Sequence, residues 1–323
     1  MEAREPDPAA TPEGGEERAH EEGDARFGAH VSAAGGLHTA PARAVELGSR
    51  VLQIFTKTPQ RWLDPVLSDA DADAFRSERA RCAIRTVAVH GSYLINTASS
   101  DSTLRERSTR SLIAELERCH RIGADFLVVH PGSATDGDRA AGMERVARAI
   151  TRALGEVRPA VRVLLENTAG QGNLLGATPA ELAELVARIR DGHGSRGVVG
   201  VCLDSCHLYA AGFDVRHRYG EVMERWDDEL DLQDVALWHL NDSRGGMGSG
   251  VDRHADIGEG GIGIDGFRTL LADPLWWNRP GLIETPKDPD PLTADRRNLR
   301  TLRELDRSIR DADRQKGGKS RTK

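Results

Sequence analysis

The chain contains few cysteines, no long apolar run and no glycine-rich dinucleotide motif. Its four cysteines are too few for a disulfide framework in 323 residues, so a reducing, cytoplasmic compartment is expected. No run of about 18 apolar residues occurs, and residues 1–24 contain no apolar segment, which argues against a membrane span and against a signal peptide. No G-x-G-x-x-G sequence follows the first predicted strand, which disfavours a dinucleotide-binding fold.

The formal net charge of −7 at pH 7 is confined to one end of the chain. Residues 1–24 contain nine acidic residues and two arginines, so residues 25–323 carry no net charge, and six of the last 15 residues are basic. Both ends are polar and poor in large apolar residues. They predict a disordered acidic tail at 1–24 and a disordered basic tail at 312–323 around one domain at 25–311. The overall charge therefore does not exclude DNA as a partner.

Short β-branched runs alternate with amphipathic segments eight times along the chain. Strands are predicted at 27–31, 51–55, 86–90, 126–130, 161–166, 198–204, 235–240 and 281–284. Most of these runs are continuously apolar, as strands buried on both faces must be. Eight such units predict an α/β protein with a closed (β/α)8 TIM barrel rather than an open doubly wound sheet.

Two helix starts have capping signals. Thr178-Pro179 followed by Glu181 forms a capping box with proline at the first helical position, and Thr103 with Glu106 predicts a second start of the same kind. Gly123 is expected to end the helix that begins near Thr103.

Metal-ligand side chains end six successive predicted strands. These residues are His90, His130, Glu166, Asp204, His239 and Glu284. A barrel gathers the carboxyl ends of its strands around one mouth, where three imidazoles and three carboxylates can surround hard or borderline cations. Any one of them is compatible with an ordinary structural role, but six in succession favour a metal site.

Three further ligand candidates follow on loops at the same mouth. His207 comes three residues after Asp204, and Asp252 and His254 lie in the glycine-rich segment "VDRHADIGEGGIG". Nine ligands exceed the needs of one metal, because a zinc site takes about four groups and two-metal centres share a bridging carboxylate. Three metals are therefore predicted.

The segment "CLDSCH" contains two cysteines that are not expected to bind metal. Cys202 and Cys206 lack the C-x2-C spacing and the second cysteine pair of a structural zinc site, so both are interpreted as packing residues. His30, at the end of the first strand, is expected to orient a ligand or contact substrate rather than to bind metal directly.

Eight segments of the chain closely resemble the endonuclease IV family of DNA repair enzymes. In order, they are "GAHVSAAGG", "HGSYLIN", "HPGS", "LLENTAGQG", "CLDSCH", "HLNDS", "DRHADIGEG" and "LIETP". The resemblance spans residues 27 to 310 and implies a barrel of the xylose isomerase-like, endonuclease IV type. It also implies a zinc-dependent apurinic/apyrimidinic endodeoxyribonuclease of base excision repair.

Such an enzyme hydrolyses the phosphodiester 5′ to an abasic site in duplex DNA and leaves a 3′-hydroxyl and a 5′-deoxyribose phosphate. By the resemblance, three zinc ions supply a metal-activated hydroxide and Glu166 is the catalytic residue. The first zinc takes His90, His130 and Glu166; the second takes Glu166, Asp204, His239 and Glu284; the third takes His207, Asp252 and His254. The resemblance further implies a monomer that acts on DNA in the cytoplasm.

The resemblance also implies loops that grip DNA at the barrel mouth, where side chains enter the base stack and the damaged nucleotide is flipped out. In "HGSYLIN", Tyr93 and Leu94 occupy the wedge positions. In "FTKTPQRW", Lys57 and Arg61 are the basic candidates, but the family usually has an arginine where this chain has Gln60. Which of Gln60 and Arg61 enters the stack is left open.

Two other functions compete with this interpretation. A divalent-metal sugar isomerase or epimerase uses the same barrel and needs only four ligands, for which Glu166, Asp204, His239 and Glu284 suffice. The five additional candidates argue against it. A zinc-loaded protein that senses DNA damage without cutting it is the second alternative, and a full ligand set with open positions argues against that one.

Overall fold

The computed structural model describes residues 26–195 and 197–320, with side chains up to residue 315. The predicted acidic tail at 1–24 lies outside the described residues. In chain order the strands are β1 (Phe27–His30), β2 (Val51–Ile54), β3 (Thr86–His90), β4 (Phe126–Val129), β5 (Arg162–Glu166), β6 (Val199–Asp204), β7 (Val235–His239), β8 (Asp242–Ser243), β9 (His254–Ala255) and β10 (Gly281–Ile283). All eight predicted strands are confirmed, and β8 with β9 forms an additional short hairpin.

The helices of the described residues follow the strands in regular alternation. They are α1 (Ala40–Glu46), α2 (Asp69–Arg81), α3 (Ser102–Ile122), α4 (Arg139–Val157), α5 (Pro179–His193), α6 (Ser205–Ala210), α7 (Tyr219–Glu229), α8 (Gly263–Ala272) and α9 (Pro291–Ser320). No helix in this part of the chain combines the length and the apolar character that a membrane crossing requires.

Eight strands form a closed parallel barrel in the order β1-β10-β7-β6-β5-β4-β3-β2. β1 pairs with β10 on one side and with β2 on the other, which closes the sheet. The predicted TIM barrel is confirmed.

Two apolar layers explain why the strands are apolar on both faces. One buried cluster includes Val51, Ala88, Val128, Leu164, Cys202, Leu237 and Leu282. These residues alternate along the strands with members of a larger cluster that packs against the helices. The first cluster therefore fills the inside of the barrel, and Cys202 belongs to it.

The helix caps agree with the sequence in part. Thr178 accepts a hydrogen bond from the Glu181 amide at 3.4 Å, but the Glu181 carboxylate reaches back to the amides of Gly176 and Ala177. The helix α3 begins differently from the prediction, because its cap is Asp101 and not Thr103.

The Asp101 carboxylate accepts from the amides of Thr103 and Leu104 at 2.8 and 3.2 Å. A carboxylate is a stronger acceptor than a hydroxyl group, so it takes the capping position. The predicted stop at Gly123 is confirmed by its left-handed backbone, with φ of 68°.

The last helix is longer than predicted. A disordered basic tail is expected from residue 312, but α9 continues to Ser320. Arginine, alanine, glutamine and lysine are all good helix formers, and Leu299, Leu302 and Leu305 anchor the preceding turns in the core. The helix therefore extends past its packed part, and of the predicted tail only residues 321–323 lie outside the description.

Candidate metal centre

The predicted ligands lie together at the mouth of the barrel. Because the eight barrel strands are parallel, their carboxyl ends face the same side. Potential ligand atoms within each of three groups lie within 4.8 Å of one another: His90, His130 and Glu166; Glu166, Asp204, His239 and Glu284; and His207, Asp252 and His254. These groups contain all nine residues that the sequence singles out.

Glu166 is common to the first two groups. Its Oε2 lies 3.2 Å from His90 Nε2 and 3.5 Å from His130 Nε2. Its Oε1 lies 2.8 Å from His239 Nδ1. Its two oxygens therefore face different imidazoles. The side chain is fully buried and has no contact with bulk water.

The third group is more open. Asp252 Oδ1 lies 3.2 Å from His207 Nε2 and 3.4 Å from His254 Nε2. The Asp252 side chain is 41% exposed, whereas that of His207 is 3% exposed. This group therefore faces the solvent from which a substrate would approach.

Hydrogen bonds to groups around the centre fix the orientation of four histidines. The Nδ1 atoms of three of them donate to backbone carbonyls: His90 to Gly91 at 2.8 Å, His207 to Asn167 at 2.9 Å and His254 to Glu284 at 3.1 Å. This arrangement leaves their Nε2 lone pairs directed into the centre. His239 is turned the other way, because its Nε2 lies 2.9 Å from Gln53 Oε1 and its Nδ1 faces the carboxylates.

The donor set fits metal ions. The Nε2 atom of His254 is buried and has no hydrogen-bond partner among the described residues. A buried imidazole nitrogen without a partner is costly unless it coordinates a cation. Five imidazoles and four carboxylates are also the ligand types that zinc prefers.

Three residues that support the centre are missing from the sequence interpretation. Gln53 Nε2 donates to Glu284 Oε1 at 2.7 Å, and Asn241 Nδ2 donates to Asp204 Oδ2 at 2.6 Å. Asn167 Oδ1 accepts from the Asp204 amide at 2.6 Å. Gln53 is recognisable in the sequence as a polar residue within an apolar strand. The two asparagines are recognisable because they follow strands that carry predicted ligands.

His30 lies beside this supporting layer. Its Nδ1 is 3.3 Å from Glu284 Oε1 and 3.1 Å from Gln53 Nε2. Burial lowers the pKa of His30 despite the neighbouring Glu284 carboxylate. The geometry thus agrees with a residue that orients Glu284, although the role itself stays a prediction.

The carboxylates and imidazoles of the centre shift one another's pKa values. Burial alone would raise the pKa of Glu166, but the imidazoles of His239 and His130 hold it well below its usual value. Burial would likewise lower the pKa of His207, but the carboxylates of Asp204 and Asp252 raise it to about 10. The carboxylates thus favour the protonated form of His207, and the imidazoles favour the ionised form of Glu166.

A buried aspartate anchors the loop that carries Asp252 and His254. Asp242 accepts hydrogen bonds from the amides of Gly258, Gly260, Ile262 and Gly263 at 2.9–3.1 Å. A Cβ atom on Gly260 would come within 2.5 Å of Asp242 Oδ1 and of the Ser243 carbonyl oxygen, so only glycine fits there.

The cysteines of "CLDSCH" are both buried. Cys206, Asp204 and His254 also have potential ligand atoms within 4.8 Å of one another. Burial raises the pKa of the Cys206 thiol, and its Sγ donates to the Arg253 carbonyl at 3.7 Å. A protonated thiol is a poor metal ligand, which agrees with the interpretation of Cys206 as a packing residue, and that role stays a prediction.

The predicted wedge residues lie on the rim beside the centre. Tyr93 is 59% exposed, and its ring packs edge-on against Phe55 at 5.4 Å and lies 5.8 Å from the His90 ring. Leu94 is half-buried, and both Gln60 and Arg61 are exposed on the neighbouring loop.

The placement of Lys57 among the DNA contacts is not supported by its environment. Its Nζ is buried and donates to Asp64 Oδ1 and Ser111 Oγ, both at 2.9 Å. The same Asp64 oxygen lies 3.2 Å from an Arg118 guanidinium nitrogen. The partners come from a later part of the loop and from α3, so Lys57 has an internal ion-pairing role that its own segment does not predict.

Comparisons with known proteins agree on one family. A family model described as a xylose isomerase-like TIM barrel matches residues 41–305. A probable endonuclease 4 from Chloroflexus aurantiacus is 44% identical over 283 residues, which cover 87% of this chain and 98% of that protein. One from Thermoplasma volcanium is 40% identical over 260 residues, covering 80% and 89%.

Solved structures give the same result. Endonuclease IV from Thermus thermophilus superposes with a TM-score of 0.76 at 39% identity, covering 87% of this chain and 98% of that one. A D-tagatose 3-epimerase-like protein has a TM-score of 0.64 at 18% identity, a likeness that extends to the fold alone. The chain therefore belongs to the endonuclease IV family and is a nuclease, a hydrolytic enzyme built on a TIM barrel.

Proposed function

We propose that the protein is a zinc-dependent apurinic/apyrimidinic endonuclease of base excision repair. It hydrolyses the phosphodiester 5′ to an abasic site in duplex DNA and leaves a 3′-hydroxyl and a 5′-deoxyribose phosphate. The observation that carries this proposal is the convergence of nine imidazole and carboxylate side chains into three groups at one barrel mouth. The family membership supports the same substrate and the same reaction.

Three zinc ions are the proposed cofactor. His90, His130 and Glu166 would hold the first, and His207, Asp252 and His254 the third. The second would be held by Glu166, Asp204, His239 and Glu284. The buried Nε2 of His254, which has no hydrogen-bond partner among the described residues, and the imidazole and carboxylate donors support this assignment.

When bound, the zinc ions supply an activated water and neutralise charge on the attacked phosphate and on the leaving oxygen. The Glu166 carboxylate would orient the attacking water and take its proton. Gln53 and Asn241 hold Glu284 and Asp204 in place through hydrogen bonds of 2.7 and 2.6 Å. The open side of the centre at Asp252 is where the phosphodiester would enter.

Lesion recognition is assigned to the rim. Tyr93 and Leu94 would enter the base stack at the abasic site, because an exposed aromatic ring backed by Phe55 can replace the missing base by stacking. Gln60 or Arg61, exposed on the adjacent loop, would contact the strand from the other side. An intact duplex would resist this insertion, since its bases remain stacked.

The proposal also includes the bounds of the catalytic domain, the cellular location and the oligomeric state. Residues 25–311 form the catalytic barrel, and the protein acts as a monomer in the cytoplasm, on the DNA of the nucleoid.

A sugar isomerase is the other function that this barrel supports. Glu166, Asp204, His239 and Glu284 alone would hold one divalent metal, and sugar epimerases share the fold. However, His90, His130, His207, Asp252 and His254 face the same centre, and a single-metal sugar site has no use for them.

The test is incubation with an end-labelled duplex that contains one abasic site. We expect incision at the phosphodiester 5′ to the lesion, with a 3′-hydroxyl end that a polymerase can extend, and no incision of the matched intact duplex. Conversion of a ketose by the same preparation, or tight binding of the abasic duplex without incision, would contradict the proposal.

A further inference from the structure

An arginine and a tryptophan form an exposed pair on the rim, away from the metal centre. Trp62 lies on the loop after β2, and Arg107 lies in the second turn of α3. The Arg107 Cζ atom lies 4.3 Å from the centroid of the Trp62 ring. Arg107 is exposed and Trp62 is half-buried, so the guanidinium lies over the ring with its N–H edges open to solvent.

Among the described residues, Arg107 has no anionic partner, in contrast to Arg110 and Arg188. Arg110, one turn further along α3, lies 3.0 Å from Glu106, and Arg188 on α5 is paired with two glutamates. Within the described part of the chain, neither Arg107 nor Arg61 forms an ion pair or a side-chain hydrogen bond. The rim thus carries two guanidinium groups without an ion-pair partner, that of Arg107 over the Trp62 ring and that of Arg61, the residue before Trp62.

The pair lies on the same rim as the wedge. Ser92 Oγ donates to the Pro59 carbonyl at 2.6 Å, which joins the Tyr93 loop to the loop of Trp62. The buried Lys57 and Asp64 attach that second loop to α3 through Ser111. These hydrogen bonds join the loop of Trp62 both to the Tyr93 loop and to α3, the helix that carries Arg107.

We infer that Trp62 and Arg107 bind a backbone phosphate of the duplex away from the lesion, an inference that rests on the proposed function. A guanidinium stacked on an aromatic ring keeps its planar fork free for two parallel N–H···O bonds to one phosphate. The ring also restricts the side chain, which reduces the entropy lost on binding.

This contact recognises charge and not sequence or damage. Phosphate contacts position a protein on DNA and add to its affinity for any duplex. Tyr93 acts only where a base is missing, whereas Arg107 acts equally on intact and abasic DNA. Arg107 would thus contribute to the binding of any duplex, and Tyr93 to the recognition of the lesion.

The test compares Arg107→Gln with Arg110→Gln, a matched control that is exposed on the same helix but already paired with Glu106. Affinity for an intact duplex is measured in rising salt for the zinc-loaded proteins. Loss of one phosphate contact lowers the slope of log affinity against log salt by about 0.9. We expect this change in Arg107→Gln, with roughly 3- to 10-fold weaker binding in low salt, and no change in Arg110→Gln.

Incision kinetics and a conservative variant complete the test. We expect Arg107→Gln to raise the KM for abasic duplex by the same factor with kcat unchanged, and Arg107→Lys to keep the salt slope. Equal slopes for Arg107→Gln and the wild-type protein would overturn the inference. Because binding of intact duplex does not require cleavage, this result is distinct from failure of the proposed function, which would appear as a wild-type protein without incision activity.

Discussion

Glu166 is the residue on which the geometry of the centre depends. Its two oxygens face different imidazoles, at 3.2 Å from His90 and 2.8 Å from His239, so it belongs to two of the three groups. A neutral amide in its place would keep the volume but lose the negative charge and the ability to accept a proton.

Replacement of Glu166 by glutamine is therefore expected to abolish incision while the fold is kept. Loss of a general base lowers a rate by about 10²–10⁴-fold, and loss of a bridging ligand adds to that. Single-turnover incision of abasic duplex and circular dichroism measure the two effects. The control variant Glu184→Gln makes the same change at an exposed carboxylate on α5 and should incise normally. Near wild-type turnover in Glu166→Gln would contradict the role of Glu166.

Tyr93→Ala is expected to weaken binding to abasic duplex more than to intact duplex. The exposed ring can enter the stack only where a base is absent, and stacking on a base contributes about 1–3 kcal/mol, which corresponds to a loss of roughly 5- to 150-fold. Tyr93→Phe keeps the ring and should bind like the wild type. Equal losses on both duplexes would show that Tyr93 has no part in recognising the lesion.

Zinc binding to metal-free protein is expected to strengthen as the pH rises. The pKa of His207 is raised to about 10, so below that value its imidazole is protonated and zinc must displace the proton. Each decrease of one pH unit should then lower the apparent zinc affinity about tenfold through the protonation of His207 alone. Competition with a chelator from pH 6 to 9 measures the effect, and a flat profile would contradict it.

Buried charges attach the loop after β2 to α3. Lys57 and Arg118 are both paired with Asp64, at 2.9 and 3.2 Å. Arg118 also donates to Thr56 Oγ at 3.0 Å. The exposed residues Gln60 and Arg61 lie between these attachments, so the network fixes the segment proposed to approach the DNA.

Lys57→Met is expected to lower both stability and affinity for abasic DNA. The methionine fills the space but removes the hydrogen bonds that Lys57 donates to Asp64 and Ser111, and among the described residues Asp64 keeps only Arg118 and Ser111 as donors. A lost hydrogen bond to a charged group costs about 2 kcal/mol of unfolding free energy. Denaturant unfolding and the KM for incision measure the two effects. Lys57→Arg should recover most of both. A stable Lys57→Met variant with an unchanged KM would show that the network does not position the loop.

The sequence predicted the strands and the strand-end ligands better than the loop contacts. Strand register follows from continuous apolar runs, so the position of a residue such as Glu166 at a strand end is determined locally. The environment of Lys57 is determined by Asp64, Ser111 and Arg118, which a local pattern does not connect to it. Asn241 was missed for the same reason, because its partners Asp204 and Glu284 belong to other strands.

Across the whole molecule, the barrel brings distant residues together while the helices provide stability. Closure of the sheet between β1 and β10 is what places Glu284 opposite Gln53, 231 residues away in sequence. Eight regular strand and helix units were sufficient to predict this architecture. The end of α9 was not predicted, because residues with high helix propensity extend the helix beyond the last packed leucine.

The fold does not by itself choose the reaction. A D-tagatose 3-epimerase-like protein shares the barrel at 18% identity, so the barrel alone does not distinguish the two proposed functions. The distinction lies in the additional imidazoles and in the rim, where Tyr93, Arg61 and Arg107 are exposed. Under the proposed function, those features form a surface that contacts a long polyanion, whereas a small sugar would need only a pocket.

A zinc titration tests the central claim most directly. Metal-free protein is titrated with zinc while incision of an abasic duplex is recorded at each step. If the nine side chains hold three zinc ions that act together, incision should increase up to three equivalents per chain and then stay constant. Full activity at one equivalent, or no incision at any ratio, would contradict the account.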